Sequence, residues 1–242
     1  MTILRSTLFL IYFALISAAL NIGCIPLLAF PRRVAKWAPD AWCGAVLWGL
    51  RHIAGLDYRV RGTVPPPGVL IAPKHMSMWD TVAIWILQGH SVFVLKRELL
   101  NIPLYGWYAR KMGMIAIDRD GKASALRKMV EAAKSAFAHG YAVVIFPEGT
   151  RKKPGSPTDY KPGVAALYGH LGVPCVPVAL NSGLFWTGPG GFLKKAGTIT
   201  IEFLEPIPPG LKRAEFMRTL ETRIETATTA LVEDGRAQLV TG

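Results

Sequence analysis

The sequence feature that most constrains the fold is a run of 25 residues, Ser6 to Phe30, without a charged side chain. As a helix rising about 1.5 Å per residue, such a run reaches roughly 37 Å, enough to cross the hydrocarbon core of a bilayer. A basic group follows it directly, formed by Arg32, Arg33 and Lys36. Because positive residues are typically kept on the cytoplasmic side, we expect a membrane protein whose globular domain lies on the cytoplasmic face, at the inner membrane if the source is bacterial.

A cleaved signal peptide is the alternative interpretation of this run. The run is long for the apolar segment of a leader, and a single basic residue, Arg5, precedes it. The basic group on its far side is also unusual for a leader. These features favour a retained anchor.

A second apolar stretch, Trp37 to Leu56, carries three tryptophans together with several charged side chains. Tryptophan beside charge suits the headgroup region of a membrane, and packing in a protein core explains the same residues nearly as well. Together the two stretches predict membrane-anchoring helices over residues 1–56, followed by an α/β domain over residues 57–242. Whether the anchor spans the bilayer or dips into one leaflet as a helical hairpin stays open.

The chain carries a net charge of +12, and 51% of its residues are hydrophobic. A basic surface predicts a polyanionic partner, and the apolar N-terminus favours membrane lipids over nucleic acid. Neither zinc-finger spacing nor the aromatic motif of RNA-binding domains is present, so we expect no nucleic-acid partner. The three cysteines, Cys24, Cys43 and Cys175, form no CxxC pair, which argues against a disulfide framework or a zinc site and favours buried apolar packing.

From Asp57 onward the pattern is that of a globular α/β domain. Seven short runs are typical of strands: Tyr58–Gly62, Val69–Ala72, Val92–Lys96, Met114–Asp118, Ala142–Phe146, Val176–Leu180 and Thr198–Leu204. Helix-like segments alternate with several of them: Trp79–Leu87, Ala123–Ala138 and Pro162–His170. This alternation predicts a mixed, largely buried sheet flanked by helices. A closing helix, Lys212–Glu233, is expected to dock on the sheet through one apolar face: Phe216, Leu220, Ile224, Ala227 and Leu231.

The first chemical motif is Lys74-His75-Met76-Ser77-Met78-Trp79-Asp80, between a strand and an apolar helical run. On one continuous helix His75 and Asp80 would point about 140° apart and would not touch. Ser77 is a good N-cap residue, which would leave His75 in the preceding loop and make Asp80 the third helical residue, so that the loop folds His75 back over the helix start. A carboxylate on one imidazole nitrogen fixes the tautomer for general-base catalysis at the other. The plain alternative is an exposed histidine beside a capping aspartate.

The second motif, Phe146-Pro147-Glu148-Gly149-Thr150-Arg151, follows an apolar strand, at the end where ligands bind in α/β sheets. Gly149 permits close backbone approach, Thr150 supplies a hydroxyl and an amide, and Arg151 has a planar guanidinium suited to phosphate. A plain charged turn is the alternative. Two further basic residues stand at the ends of other strand-like runs: Lys96, which could reach the same edge, and Arg119.

Four motifs follow one another along the chain: His75-x4-Asp80, Lys96-x-Glu98-Leu99, Phe146-Pro147-Glu148-Gly149-Thr150-Arg151 and Val173-Pro174-x-Val176-Pro177-Val178. In this order and spacing they resemble the four blocks of the glycerophospholipid acyltransferase family, specifically its 1-acyl-sn-glycerol-3-phosphate acyltransferases. The resemblance covers the chain from roughly Arg61 to Pro206. The fourth motif is expected to be a structural strand.

The resemblance implies acyl transfer from acyl-CoA or acyl carrier protein to the free hydroxyl of lysophosphatidic acid, forming phosphatidic acid in phospholipid biosynthesis. It implies no metal and no cofactor besides the acyl donor, with His75 as the catalytic base and Asp80 as its partner. It also implies a set of substrate-binding residues around the acceptor's phosphate: Lys96, Arg119, Glu148, Gly149, Thr150 and Arg151. The family often has Asn-His-Gln-Ser where this chain has Lys74-His75-Met76-Ser77. We expect Lys74 to place a positive charge beside the imidazole that would attract an anionic substrate.

Several alternative functions stay open. Two belong to the same class: an acyltransferase acting on glycerol-3-phosphate, or one acting on lyso-ornithine lipid. A third is a non-catalytic membrane lipid-binding protein. A serine hydrolase is disfavoured, because Gly89-His90-Ser91-Val92-Phe93 lacks the second glycine of the nucleophile elbow.

Overall fold

A computed structural model describes residues 1–118, 122–187 and 190–241. The helices longer than one turn are α1 (Thr2–Gly23), α3 (Trp37–Gly49), α4 (Met78–Gln88), α5 (Tyr105–Lys111), α6 (Lys122–Ala138), α7 (Gly163–Leu171) and α9 (Arg213–Thr241). Two short α-helices, α2 (Arg32–Ala35) and α8 (Ser182–Phe185), a π-helical turn and two 3-10 helices, one of them Arg97–Asn101, are also present in this part of the chain. The strands are β1 (Leu56–Arg61), β2 (Leu70–Pro73), β3 (Ser91–Lys96), β4 (Ile115–Ile117), β5 (Ala142–Val144), β6 (Cys175–Leu180) and β7 (Gly197–Phe203).

The strands form one seven-stranded sheet in the order β1-β7-β6-β2-β5-β3-β4. All neighbouring pairs are parallel except β6 and β7, which run antiparallel. Each of the seven predicted strand runs overlaps one of these strands, and the predicted mixed sheet is confirmed. The fourth motif lies in β6, whose residues are all buried, as expected of a structural strand.

Helices cover both faces of the sheet. Successive side chains along a strand point to opposite faces, so each strand contributes to the core on both sides. Ile71 of β2 packs in the core shared with α3 and α4. Its neighbours Leu70 and Ala72 pack in the core shared with α6, α7 and α9. A central strand buried on both sides must be apolar at every position, which explains why β2 reads as a continuous apolar run.

The N-terminal helix α1 is long and apolar enough to cross a membrane, and most of its surface is exposed. It also packs on the rest of the protein at its inner face. The ring centroid of Phe9 lies 5.9 Å from that of Trp186, and the Tyr12 hydroxyl donates to the Ala45 carbonyl over 2.9 Å. The predicted 25-residue run is divided, because α1 ends at Gly23 and a 3-10 helix, Ile25–Ala29, follows with Pro26 in its first turn.

The second apolar stretch becomes α3 and a π-helical turn, Leu50–Ala54, which leads into β1. Its small and aliphatic residues enter the core: Cys43, Val46 and Leu50. Its tryptophans take both expected environments. Trp37 and Trp48 are more than half exposed, whereas Trp42 packs edge-on against Phe13 of α1. All three cysteines are free and buried, as predicted.

The closing helix docks on the sheet as predicted. Its inward residues Phe216, Leu220, Ile224 and Leu231 are almost fully buried. Ala227 is only half buried, and its neighbour Thr228 occupies the inward position. The helix begins at Arg213 and continues to Thr241, beyond the predicted end at Glu233.

Candidate active site

The candidate site lies at the carboxyl ends of three neighbouring parallel strands, β2, β5 and β3. The register pairs Ile71 with Val144, and Phe93 with the same Val144. Continued past the strand ends, this register brings the residues after Pro73, the residues after Val144 and Lys96 to one edge. Strand β5 lies between β2 and β3. Because neighbouring strands are about 4.8 Å apart, Lys96 lies roughly 10 Å from the His75 loop. The topology therefore gathers three of the four sequence motifs.

Asp80 and His75 meet as the sequence predicted. Ser77 is the N-cap of α4 with extended backbone, and Asp80 at the third helical position completes a capping box. The imidazole Nδ1 of His75 lies 3.0 Å from Oδ2 of Asp80. With Nδ1 donating to this carboxylate, Nε2 is the nitrogen left to accept a proton.

The Asp80 carboxylate is fully buried and surrounded by donors. Its Oδ2 atom accepts from the amides of Met76 and Ser77 at 2.6 and 2.9 Å, besides the imidazole. Its Oδ1 atom accepts from the hydroxyl of Ser182. Such a shell satisfies the acceptor oxygens of a buried carboxylate and fixes its orientation toward the imidazole.

The His75 ring is held flat against the ring of Phe146, with centroids 3.9 Å apart and planes 25° from parallel. The second motif also grips the backbone of the His75 loop. The Lys152 amide donates to the His75 carbonyl over 2.8 Å, and the His75 amide donates to Oε2 of Glu148 over 3.0 Å. Hydrogen bonds therefore join the two loops, and the stacking on Phe146 restricts rotation of the imidazole.

The expectation for Lys74 is wrong. Its side chain is 3% exposed and lies between two carboxylates, with Nζ 2.8 Å from Glu148 and 2.7 Å from Glu225 of α9. A buried ammonium ion requires paired carboxylates, and both are supplied by the protein. The Lys74 charge therefore ties α9 to the His75 loop and is not available to an incoming anion.

Glu148, expected among the substrate-binding residues, also faces inward. Its side chain has no exposed surface, and its two oxygens bond to Lys74 and to the His75 amide. Burial raises the pKa of Glu148, and the Lys74 ammonium and the His75 amide oppose that rise. Direct contact with substrate would require breaking these bonds, so this geometry makes Glu148 a support for the His75 loop.

The remaining predicted site residues differ in exposure. Gly149 has a left-handed φ of 64°, which the sharp turn after β5 requires. Thr150 and Lys96 are exposed, and Arg151 is half buried. In the described part of the chain the side chains of Lys96 and Arg151 form no ion pair, so both are free to meet an anion. Arg119 lies outside the described residues.

Sequence reasoning missed Ser182. This residue follows β6, which lies beside β2 and parallel to it, so it arrives at the same edge of the sheet. Its hydroxyl is fully buried and bonds to both Asp80 and Ser77. The one available signal was a small polar residue two positions after the end of a buried strand.

Comparison with known proteins agrees with this arrangement. The sequence profile of the family described as Acyltransferase matches residues 57–181. The 1-acyl-sn-glycerol-3-phosphate acyltransferase of Pseudomonas aeruginosa is 34% identical over 190 residues, which cover 78% of this chain and 73% of that protein. The 1-acyl-sn-glycerol-3-phosphate acyltransferase alpha of Ovis aries is 32% identical over 57% of this chain, and the chain spans 49% of its length.

A solved structure shares the fold. The crystal structure of the 1-acyl-sn-glycerophosphate (LPA) acyltransferase from Thermotoga maritima superposes with a TM-score of 0.77 at 21% identity, covering 94% of this chain and 96% of that one. An α/β sheet with a histidine–aspartate pair at its carboxyl edge thus occurs with a matching family profile over half the chain. The chain belongs to the acyltransferase family, among the relatives of the lysophosphatidic acid acyltransferases.

Proposed function

We propose that this protein transfers an acyl group from acyl-CoA or acyl carrier protein to the free hydroxyl of lysophosphatidic acid, forming phosphatidic acid. The observation that carries the proposal is the bond between His75 and Asp80 at the ligand-binding edge of the sheet. The substrate class is taken from the relatives, which are named 1-acyl-sn-glycerol-3-phosphate acyltransferases. The proposed chemistry uses the acyl thioester as its co-substrate and involves no metal.

In the proposed mechanism the acceptor hydroxyl donates to Nε2 of His75. That nitrogen removes the proton while the hydroxyl oxygen attacks the thioester carbonyl, and Asp80 stabilises the imidazolium that forms. The tetrahedral intermediate then expels the thiolate, which regains the proton from Nε2. One ester bond forms, one thioester bond breaks, and a free thiol leaves.

The oxyanion of that intermediate needs hydrogen-bond donors. The amides of His75, Met76 and Ser77 already donate to Glu148 and Asp80. The Gly149 amide donates to the Phe146 carbonyl. These contacts leave the amides of Glu148 and Thr150 as the donors that we propose for the oxyanion.

The acceptor's phosphate is proposed to bind Arg151 and Lys96. The first follows β5 and the second ends β3, so the two cations approach the edge from separate strands. A guanidinium binds two phosphate oxygens at once, and an ammonium adds a second charge. Together they would fix the position of the acceptor's hydroxyl relative to His75. Arg119 is proposed as a third basic contact.

A substrate panel tests the proposal. The purified full chain is supplied with acyl-CoA or acyl-loaded carrier protein against lysophosphatidic acid, glycerol-3-phosphate and lyso-ornithine lipid, and ester formation is measured for each pair. We expect lysophosphatidic acid to be the preferred acceptor. Preference for either of the others would assign the enzyme to a different acceptor, and no ester with any pair would remove the proposed activity.

A further inference from the structure

The exposed apolar side chains of the globular domain are not scattered. In the described part of residues 57–242, six large hydrophobic side chains are exposed, and four of them lie between residues 99 and 107. They are Leu99 at 36%, Ile102 at 48%, Tyr105 at 44% and Trp107 at 50%. We call residues 96–111 the edge segment. Single exposed hydrophobic residues are normal, whereas such a cluster marks an interaction surface.

The inner side of the edge segment packs on the N-terminal helices. Tyr108 of α5 is buried in a small core with Cys24 and Ala38. Its hydroxyl donates to the carbonyl of Asn21 near the end of α1. The segment therefore stands beside the end of the helix that is apolar enough to enter a membrane.

The charge and composition of the edge segment identify the partner. Four basic residues, Lys96, Arg97, Arg110 and Lys111, accompany one acidic residue, Glu98. Arg97 pairs with Asp118 over 3.2 Å, and Arg110 is exposed. Tryptophan and tyrosine among aliphatic side chains with a basic fringe are typical of surfaces that enter the headgroup region of an anionic bilayer.

The backbone of the edge segment is shaped to present these side chains. Leu104 adopts a left-handed φ of 63°, which is uncommon for a residue with a side chain. At Gly106 an added Cβ would lie 2.0 Å from the carbonyl oxygen of Leu100, so only glycine allows this close turn. The turn is therefore fixed, and Ile102 and Trp107 on either side of it stay exposed.

We propose that the edge segment is a second membrane-contacting surface, in which Leu99, Ile102, Tyr105 and Trp107 enter an anionic lipid surface. It begins at Lys96 on the ligand-binding edge of the sheet, so contact with lipid would place the active-site entrance against the bilayer. The inference extends the proposed function, since it concerns how that site meets a lipid acceptor. The occupant is the lipid surface itself.

Spin labels on the full chain in phosphatidylcholine–phosphatidylglycerol vesicles test the contact directly. Labels are placed through Ile102→Cys and Trp107→Cys, with Lys128→Cys, at an exposed position of α6, as the matched control. The three native cysteines are buried, and the unsubstituted chain gives the background. We expect the first two labels to collide with oxygen and to be shielded from a water-soluble nickel chelate, with the reverse at position 128. Access to the nickel chelate at 102 and 107 overturns the proposal. Shielding from both reagents would reveal a protein partner and overturn it too.

A kinetic comparison tests the consequence. The double variant Ile102→Gln/Trp107→Gln should lose on the order of tenfold in kcat/KM for long-chain lysophosphatidic acid in vesicles, since two apolar side chains no longer enter lipid. Its rate with a short-chain, monomeric acceptor should stay near that of the unsubstituted chain. Val60→Gln, an exposed apolar residue on β1 at the other end of the sheet, is the control. Equal losses with both acceptors would contradict lipid contact. If the protein acylated neither acceptor, the proposed function would fail, while the label depths would still decide this inference.

Discussion

Asp80 is both the capping-box residue of α4 and the acceptor for the His75 imidazole. Oδ2 of Asp80 accepts hydrogen bonds from the amides of Met76 and Ser77 and also from Nδ1 of His75. The bonds that cap the helix therefore also position the carboxylate against the imidazole. His75 and Asp80 can touch although they are five positions apart, because His75 lies in the loop before the capped helix start and that loop bends back over the helix. For that reason the dyad was predictable from local residues.

Substitution of Arg151 tests whether its guanidinium binds the acceptor's phosphate. Replacing it with Lys keeps the charge and loses the planar pair of donors. We expect a higher KM for lysophosphatidic acid and a lower kcat, with a smaller change in the KM for the acyl donor. Steady-state kinetics with each substrate varied in turn measure this. Arg213→Lys, on the first turn of α9, is the control for a general arginine effect. A defect confined to donor kinetics would place Arg151 in the donor site.

Residues whose partners are distant in sequence were not predictable. Lys74 was expected to face the substrate, and it turns instead toward Glu225, 151 positions away. Ser182, 102 positions from Asp80, gave no local pattern that pointed to a carboxylate. In both cases the fold brings together polar groups that are distant in sequence. These groups bond to each other because a buried polar group without a partner would destabilise the fold.

Among the elements, helices α5 (Tyr105–Lys111) and α8 (Ser182–Phe185) were missed from the sequence. The seven strands and helices α4, α6, α7 and α9 were predictable from their apolar runs and periodicity. The packing of α1 on the domain was not, because the apolar pattern of a membrane helix carries no sign of which side faces protein. Phe9 and Ser6 are almost fully buried, and Ser6 accepts the Lys194 amide. Helix α1 and the globular part of the chain therefore share part of one core.

Helix α9 is expected to stabilise the fold around Lys74 through Glu225. Glu225→Gln removes one of the two carboxylates around Lys74 and one partner of the Tyr160 hydroxyl. We expect a loss of about 1–3 kcal/mol in the free energy of unfolding, because a buried ammonium then has one charged partner fewer. Denaturant unfolding in detergent measures this loss. Glu233→Gln, exposed on the same helix, should leave stability unchanged, and equal effects of the two changes would contradict the coupling.

Lys194 provides a pH test of the contact between α1 and the domain. Its ammonium lies 4.5 Å from the Trp186 ring centroid and 5.6 Å from that of Phe9. Burial lowers the pKa of Lys194 from 10.5 to about 8. Between these two values the unfolded chain holds the extra proton, so the Lys194 contribution to stability rises with pH in that window. Thermal melting of the unsubstituted chain and of Lys194→Met should therefore show a steeper rise for the unsubstituted chain. If the two chains showed the same dependence of melting temperature on pH, the lowered pKa of Lys194 in the folded chain would be contradicted.

The whole molecule combines one exposed apolar helix, a net charge of +12 and a site at one edge of the sheet. We expect membrane attachment that resists high salt, because apolar insertion is not screened by ions. Protease added to sealed vesicles should digest the globular domain only when the cytoplasmic face is outward. Digestion solely from the opposite face would reverse the proposed orientation.

Deleting residues 1–31 should release the protein from membranes or leave it weakly and salt-sensitively bound. Because Phe9 is buried against Trp186, we also expect the shortened chain to melt at a lower temperature than the full chain. Sedimentation with vesicles and thermal melting measure the two effects separately. Firm, salt-resistant binding of the shortened chain would show that α1 is not the main anchor.

His75, oriented by Asp80, is the residue that we propose carries the acyl transfer. The most direct measurement is the rate of phosphatidic acid formation by the unsubstituted chain, His75→Ala and Asp80→Asn, each confirmed as folded by circular dichroism. Positioned acid–base catalysis contributes about 10²–10⁴-fold, so His75→Ala should be at least ~100-fold slower, and Asp80→Asn should lose much of the rate. Near-normal turnover by folded His75→Ala would contradict the mechanism.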